Sequence, residues 1–122
     1  WPDRADDGAD WMNGTPKLVA TTTLREAAWS NSSIIREDVP QAVRALKQQA
    51  GKDILIYGSA TLARALMVRD LIDEYRMLVY PVVVGAGSRM FEGVNAQANL
   101  RLARSQTFSS GAVGLIYVPD RA

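Results

Sequence analysis

Apolar and polar residues change their spacing several times along this chain, and each spacing predicts a different element. Lys17 to Thr22 is rich in β-branched residues and bounded by Pro16, which predicts a strand. Ser33-Ile34-Ile35 predicts a second, shorter one. Between Val39 and Gln49 the residues Val39, Ala42, Val43 and Leu46 recur three or four apart, with Arg44, Lys47 and Gln48 outside the row. That is the period of an amphipathic helix. Asp38 offers a cap, Pro40 lies in the first turn where a missing N–H costs little, Gln41 stands at the capping-box offset, and Gly51 ends the helix.

Ile54-Leu55-Ile56-Tyr57 is continuously apolar, as a central parallel strand covered on both faces would be. A right-handed crossover is the expected route into it. A helix from Ala60 to Val68 follows, with Leu62, Ala63 and Leu66 facing inward, and then a long strand from Tyr75 to Val84. Leu100–Phe108 and Ala112–Val118, joined through Ser109-Ser110-Gly111, predict a terminal β-hairpin. Residues 1–15 carry Asp3, Asp6, Asp7, Asp10, Gly8 and Gly14 without an apolar period, which predicts an irregular arm. Its aspartates lack the alternate spacing and distal Glu of a calcium loop.

Composition narrows the chemistry. At 122 residues and 48% hydrophobic content the chain is one domain by default, with enough apolar surface for a core. Its net charge is +1 and its Lys and Arg are scattered, so neither a nucleic-acid partner nor a membrane surface is expected. With no Cys there are no disulfides, thiol nucleophiles or thiolate metal sites, and with no His the commonest general base and metal ligand is gone. The longest apolar run, near Val79–Val84, is interrupted by Pro81, and no charged-then-apolar leader is read at the start, so the expected location is cytoplasmic.

The candidate site is the junction Tyr57-Gly58-Ser59-Ala60-Thr61-Leu62, where a strand meets small residues and then a helix. Small side chains let a phosphate approach the main chain, and the first helical turn offers unpaired N–H groups backed by the helix dipole. Plain turn chemistry gives the same pattern, and neither repeated Rossmann glycines nor a Walker lysine is present. Thr21, Thr22 and Thr23 end the first strand, where hydroxyls either serve a ligand or satisfy their own backbone. Asp73 and Glu74 are adjacent carboxylates, but neighbours on a strand point to opposite faces, so structural duty is expected. Gly85-Ala86-Gly87-Ser88 precedes no obvious helix and is expected to be a turn.

The order Gly58-Ser59-Ala60-Thr61, helix, Leu71-Ile72-Asp73-Glu74, strand, then Pro81-Val82-Val83-Val84-Gly85-Ala86-Gly87-Ser88-Arg89-Met90-Phe91 resembles the C-terminal domain family of the riboflavin-pathway bifunctional deaminase-reductases. That family (RibD C-terminal-like) lies within the dihydrofolate reductase-like superfamily. Agreement extends through Pro16–Leu24, Trp29-Ser30-Asn31-Ser32, Ser105–Gly111 and Ile116-Tyr117, about residues 15 to 119. The resemblance implies an α/β fold: a three-layer sandwich with a mixed, mostly parallel central sheet, flanking helices and a C-terminal hairpin. It places residues 16–122 in the reductase-like domain and residues 1–15 in the arm. Segments like S-L-D-G and G-R-x-T, with which family members begin, do not occur here, so the N-terminal strand and helix of that fold are expected to be missing.

The resemblance also implies an NADPH-dependent oxidoreductase that reduces a pterin-, pyrimidine- or flavin-precursor-like heterocycle. Carried over by position, Gly58, Ser59, Ala60, Thr61 and Leu62 would hold the cofactor diphosphate. Thr21 and Thr22 would bind the adenosine-side ribose or its phosphate, and Tyr57 would sit near the nicotinamide and substrate. No catalytic residue and no metal site is assigned. Hydride transfer needs no protein nucleophile, which suits a chain without Cys or His. A homodimer is expected. Two other classes stay open: a non-catalytic nucleotide-binding or assembly module, and a structural or dimerisation fragment with an exposed sheet edge.

Overall fold

A computed structural model describes residues 1–121, so Ala122, the last residue of the expected reductase-like domain, lies outside the described residues. The backbone packs as two compact units, Trp1–Lys52 and Asp53–Ala122.

In the first unit, helix α1 (Asp7–Gly14) is followed by strands β1 (Lys17–Ala20) and β2 (Ser32–Ile35) and helix α2 (Val39–Lys47). The strands pair in parallel, from Lys17 opposite Ser32 to Ala20 opposite Ile35. Helix α1 corrects the expected irregular arm at 1–15, and its ends explain it. Asp6 is the cap: its carboxylate accepts from the Ala9 amide at 2.8 Å and from Arg4 Nε at 2.9 Å. The Ala9 amide first, and then Arg4, hold the Asp6 carboxyl below its usual range. At the far end Lys17 Nζ donates to the carbonyls of Met12 and Thr15, which puts a cation on the negative end of the helix. Ala9 is fully buried. Satisfied ends thus make a helix of a sequence with no apolar period.

Helix α2 starts where its signals place it. The Asp38 carboxylate accepts from the Gln41 amide at 3.1 Å, and Pro40 occupies the first turn. Gln41 Oε1 accepts from Arg44 Nη1 at 2.8 Å, so the return half of the capping box goes to a side chain instead. Val39, Ala42, Val43 and Leu46 are half-buried along one face.

The second unit contains α3 (Ala60–Met67), β3 (Tyr75–Val79), β4 (Leu100–Thr107) and β5 (Val113–Pro119). Its sheet has the order β3-β5-β4 and is antiparallel throughout, with a register shift between Leu102 and Arg104. The expected hairpin is β4–β5, closed by Phe108 N donating to Ala112 O and Gly111 N to Phe108 O, both at 2.9 Å. Gly111 has φ +86°, a left-handed conformation that favours glycine. Among the described residues of this unit Ala63, Leu66, Tyr75 and Ala112 are the buried apolar ones, and the Tyr75 and Phe91 rings meet edge to face at 6.3 Å between centroids.

Mixed α/β architecture is therefore present, but as two small sheets with parallel pairing only between β1 and β2. Two expectations are corrected. Ile54–Tyr57 is not a buried central strand, since all four residues are exposed and lie in no strand. An apolar run supplies strand propensity, but a strand exists only through backbone partners, and none of the described strands pairs with it. The strand begun at Tyr75 ends at Val79 rather than Val84, because Pro81 has no N–H to give a ladder and Val82 N folds back to Tyr80 O at 2.8 Å. Among the described residues no helix is long and apolar enough to cross a membrane.

Candidate functional site

Gly58 and Ser59 give the strongest local geometry in the second unit. Gly58 has φ +62° and Ser59 has φ +50°, two consecutive left-handed residues leading into α3. The pair breaks the chain's extended course just before the helix and brings it into α3 at its N-terminal end. Ser59 occupies the N-cap position, yet its side chain makes no capping hydrogen bond. Its carbonyl accepts from Ala63 N at 2.9 Å, the first bond of the helix. The amides of the first turn are thus left without the usual side-chain acceptor.

Space is available at this point. A Cβ built on Gly58 would meet nothing within 4 Å, and Gly58, Ser59 and Thr61 are exposed while Ala60 and Leu62 are half-buried. Thr61 Oγ1 accepts from Arg64 Nη2 at 3.4 Å, and Arg64 Nη1 donates to Arg89 O at 3.2 Å, so this guanidinium is tied to the helix and to the 89–92 turn. Open backbone, uncapped amides and the positive end of a helix fit a diphosphate. Tyr57, one residue upstream, is 67% exposed.

The remaining candidates lie apart from that junction in the chain and belong to the first unit. Thr21 N extends the β1–β2 ladder to Ile35 O at 3.1 Å, and Thr21 Oγ1 accepts from the amides of Thr23 and Leu24, each at 3.2 Å. Thr21 Oγ1 also shares a hydrogen bond with Thr23 Oγ1 at 3.4 Å, so this threonine closes its own strand end. Thr22 is exposed.

The adjacent carboxylates and the Gly85–Ser88 segment are placed as follows. Asp73 Oδ1 accepts from Arg121 Nη2 at 3.2 Å, whereas Glu74 Oε1 accepts from Arg76 Nε, so the adjacent carboxylates serve different partners. No helix opens after Gly85–Ser88. Among the described residues no group of three or more acidic, Cys or His side chains could hold a metal. A shallow hollow of about 270 Å³ on the antiparallel sheet, lined by Arg76, Leu78, Phe108 and Ile116 among others, contains none of the predicted residues.

Sequence reasoning missed one cluster, centred on Asn13. Asn13 Oδ1 accepts from Trp29 Nε1 at 2.6 Å, and its carbonyl accepts from Asn31 Nδ2 at 2.8 Å. The polar run Trp11-Met12-Asn13-Gly14-Thr15-Pro16-Lys17 carries no apolar period, so spacing alone gave no signal for it.

Comparison with known proteins adds what the geometry cannot. A family model described as the RibD C-terminal domain matches residues 1–114. The uncharacterized protein YyaP of Bacillus subtilis (strain 168) is 34% identical over 117 residues, which is 95% of this chain and 61% of that protein. YwjB of the same organism is 37% identical over 86 residues, or 70% of this chain and 49% of that protein. The chain thus spans about half to three fifths of the length of these relatives. Among solved structures, a putative riboflavin biosynthesis protein from Shewanella sp. PV-4 superposes with a TM-score of 0.78 at 19% identity, covering 92% of this chain and 64% of that one. A pyrimidine reductase-like protein from Corynebacterium diphtheriae gives 0.64 at 17% identity, covering 86% and 50%.

Proposed function

The chain belongs to the RibD C-terminal domain family, and from that premise we propose that it carries the cofactor-binding part of an NADPH-dependent reductase. The substrate is a pterin-, pyrimidine- or flavin-precursor-like heterocycle. The observation that supports this best is the uncapped N-terminus of α3 behind the left-handed pair Gly58 and Ser59.

NADPH, when bound, supplies the hydride. Gly58, Ser59, Ala60, Thr61 and Leu62 hold its diphosphate through main-chain N–H groups, which need no side-chain charge. The role of Gly58 is to leave the approach open, since any side chain there would stand in the space the phosphate needs and would strain a backbone at φ +62°. Tyr57 borders the nicotinamide and substrate. Thr21 and Thr22 take the adenosine-side ribose or its phosphate. Holding donor and acceptor in register is the protein's share of the catalysis.

In the same reading the whole protein is cytoplasmic and dimeric, and its strands join a larger, mostly parallel sheet. A second reading, a non-catalytic nucleotide-binding or assembly module, is favoured by one observation: Tyr80 and Val82–Val84 are apolar and more than 60% exposed.

Titration of the chain with NADPH, followed by calorimetry, tests the proposal. Saturable binding that Gly58→Val weakens at least tenfold is expected. Equal affinity of the two proteins would remove the cofactor assignment.

A further inference from the structure

The two strands of the first unit run in parallel, so Thr21-Thr22 and Arg36 leave the sheet at the same end. Ligands of parallel sheets gather at that end. Thr21 Oγ1 folds the chain back on itself by accepting from the amides of Thr23 and Leu24. The next residue in that turn is Arg25, and its carbonyl accepts from Arg36 Nη2 at 2.6 Å. One short contact to the main chain thus holds the Arg36 guanidinium against the segment that carries the threonines.

A guanidinium anchored on a carbonyl keeps its whole charge, because a carbonyl brings no opposite one. Among the described residues no carboxylate lies within ion-pair distance of Arg36 or Arg25, and Glu26 and Glu37, their neighbours in the chain, pair with neither. Arg76 and Arg121 differ, since Glu74 and Asp70 stand against them. Arg36 is exposed, and the donors that Arg25 does not use form a planar fork suited to phosphate oxygens. The anchor fixes that fork in advance, so less freedom is lost when an anion arrives.

We propose that Arg36 is a specificity-determining residue, which takes a phosphate on the adenosine-side ribose and makes this strand end prefer a 2′-phosphorylated dinucleotide. This rests on the cofactor reading above and adds to it the side chain that separates NADPH from NADH. The threonines do not make that separation. Their hydroxyls suit a ribose hydroxyl and a phosphate alike, and Thr21 Oγ1 is engaged in its own turn. A cation does make it, because the phosphate brings about two negative charges and the ribose hydroxyl none.

The probes are NADPH and NADH, with adenosine 2′,5′-bisphosphate and adenosine 5′-monophosphate as the corresponding adenosine halves, titrated by calorimetry into the 122-residue chain. The phosphorylated member of each pair is expected to bind about tenfold more tightly or better. Arg36→Gln should remove the preference by weakening that member alone. Arg36→Lys, which keeps the charge and loses the fork, should restore part of it. Both variants should keep the circular dichroism of the parent, because the side chain they change is exposed. A residue that only tied the loop would weaken both members of a pair equally, and that result, or a preference that survives Arg36→Gln, would overturn the proposal. The cofactor reading is scored separately by the parent: equal binding of NADPH and NADH overturns the role of Arg36 alone, whereas binding of neither overturns both.

Discussion

Lys17 Nζ stands 4.5 Å from the centre of the Trp29 ring and at the same time donates to the carbonyls of Met12 and Thr15, at 2.7 and 2.8 Å. One side chain therefore closes the C-terminal end of α1 and fixes the loop that leads into β2.

Replacing Lys17 by Met keeps the stem and removes the cation. Hydrogen bonds from charged groups are worth about 1.5–3 kcal/mol each at most, and those here are partly solvated, so a net loss of about 2 kcal/mol is expected. Urea unfolding followed by tryptophan fluorescence measures it. Lys17→Arg should recover part of the loss, and a Lys17→Met protein as stable as the parent would show that α1 is held by Asp6 alone.

Ser59 separates structural from binding roles. Because its side chain caps nothing, Ser59→Ala should change stability by less than about 0.5 kcal/mol, whereas a working cap would cost about 1. If the hydroxyl serves a phosphate, NADPH affinity falls several-fold in the same variant. Unchanged affinity would leave recognition to the main chain. A large stability loss would mean that the hydroxyl does cap the helix.

Leu66, 2% exposed, is the largest fully buried side chain among the described residues. Leu66→Ala removes that packing and should cost about 2–5 kcal/mol in chemical denaturation. Val68, two residues on and half exposed, is the control, and Val68→Ala should stay within about 0.5 kcal/mol.

Local signals were legible wherever the chemistry was local. Asp38, Pro40 and Gln41 announced α2 because a cap is a matter of three or four residues. Ser109-Ser110-Gly111 announced the hairpin for the same reason. Helix α1 was illegible because half of its support, the Lys17 ammonium, lies outside the helix itself. Ile54–Tyr57 and Val82–Val84 were misread in the opposite way: their propensity is real, but pairing belongs to the partner strand and not to the run. Of the candidate site, the small residues at 58 and 59 were visible in the sequence. Their consecutive left-handed conformations were not, since Ser59 is a residue type that seldom adopts one.

Tyr75 should make the second unit sensitive to alkali. Its side chain is buried, and desolvation first, with the nearby Asp70 second and Arg121 opposing, raises its phenol above the ordinary value of 10.0. The folded state then holds the phenolic proton over a range where the unfolded chain has released it. By linkage, the corresponding stability is fully present below the unfolded value and is lost as pH rises through the folded one. Denaturation midpoints should therefore fall above pH 10. Tyr75→Phe, which has no proton to lose, should flatten that fall while leaving the midpoint near pH 8 within the range of a conservative core change. An alkaline slope of equal steepness in both proteins would place the sensitivity elsewhere in the fold.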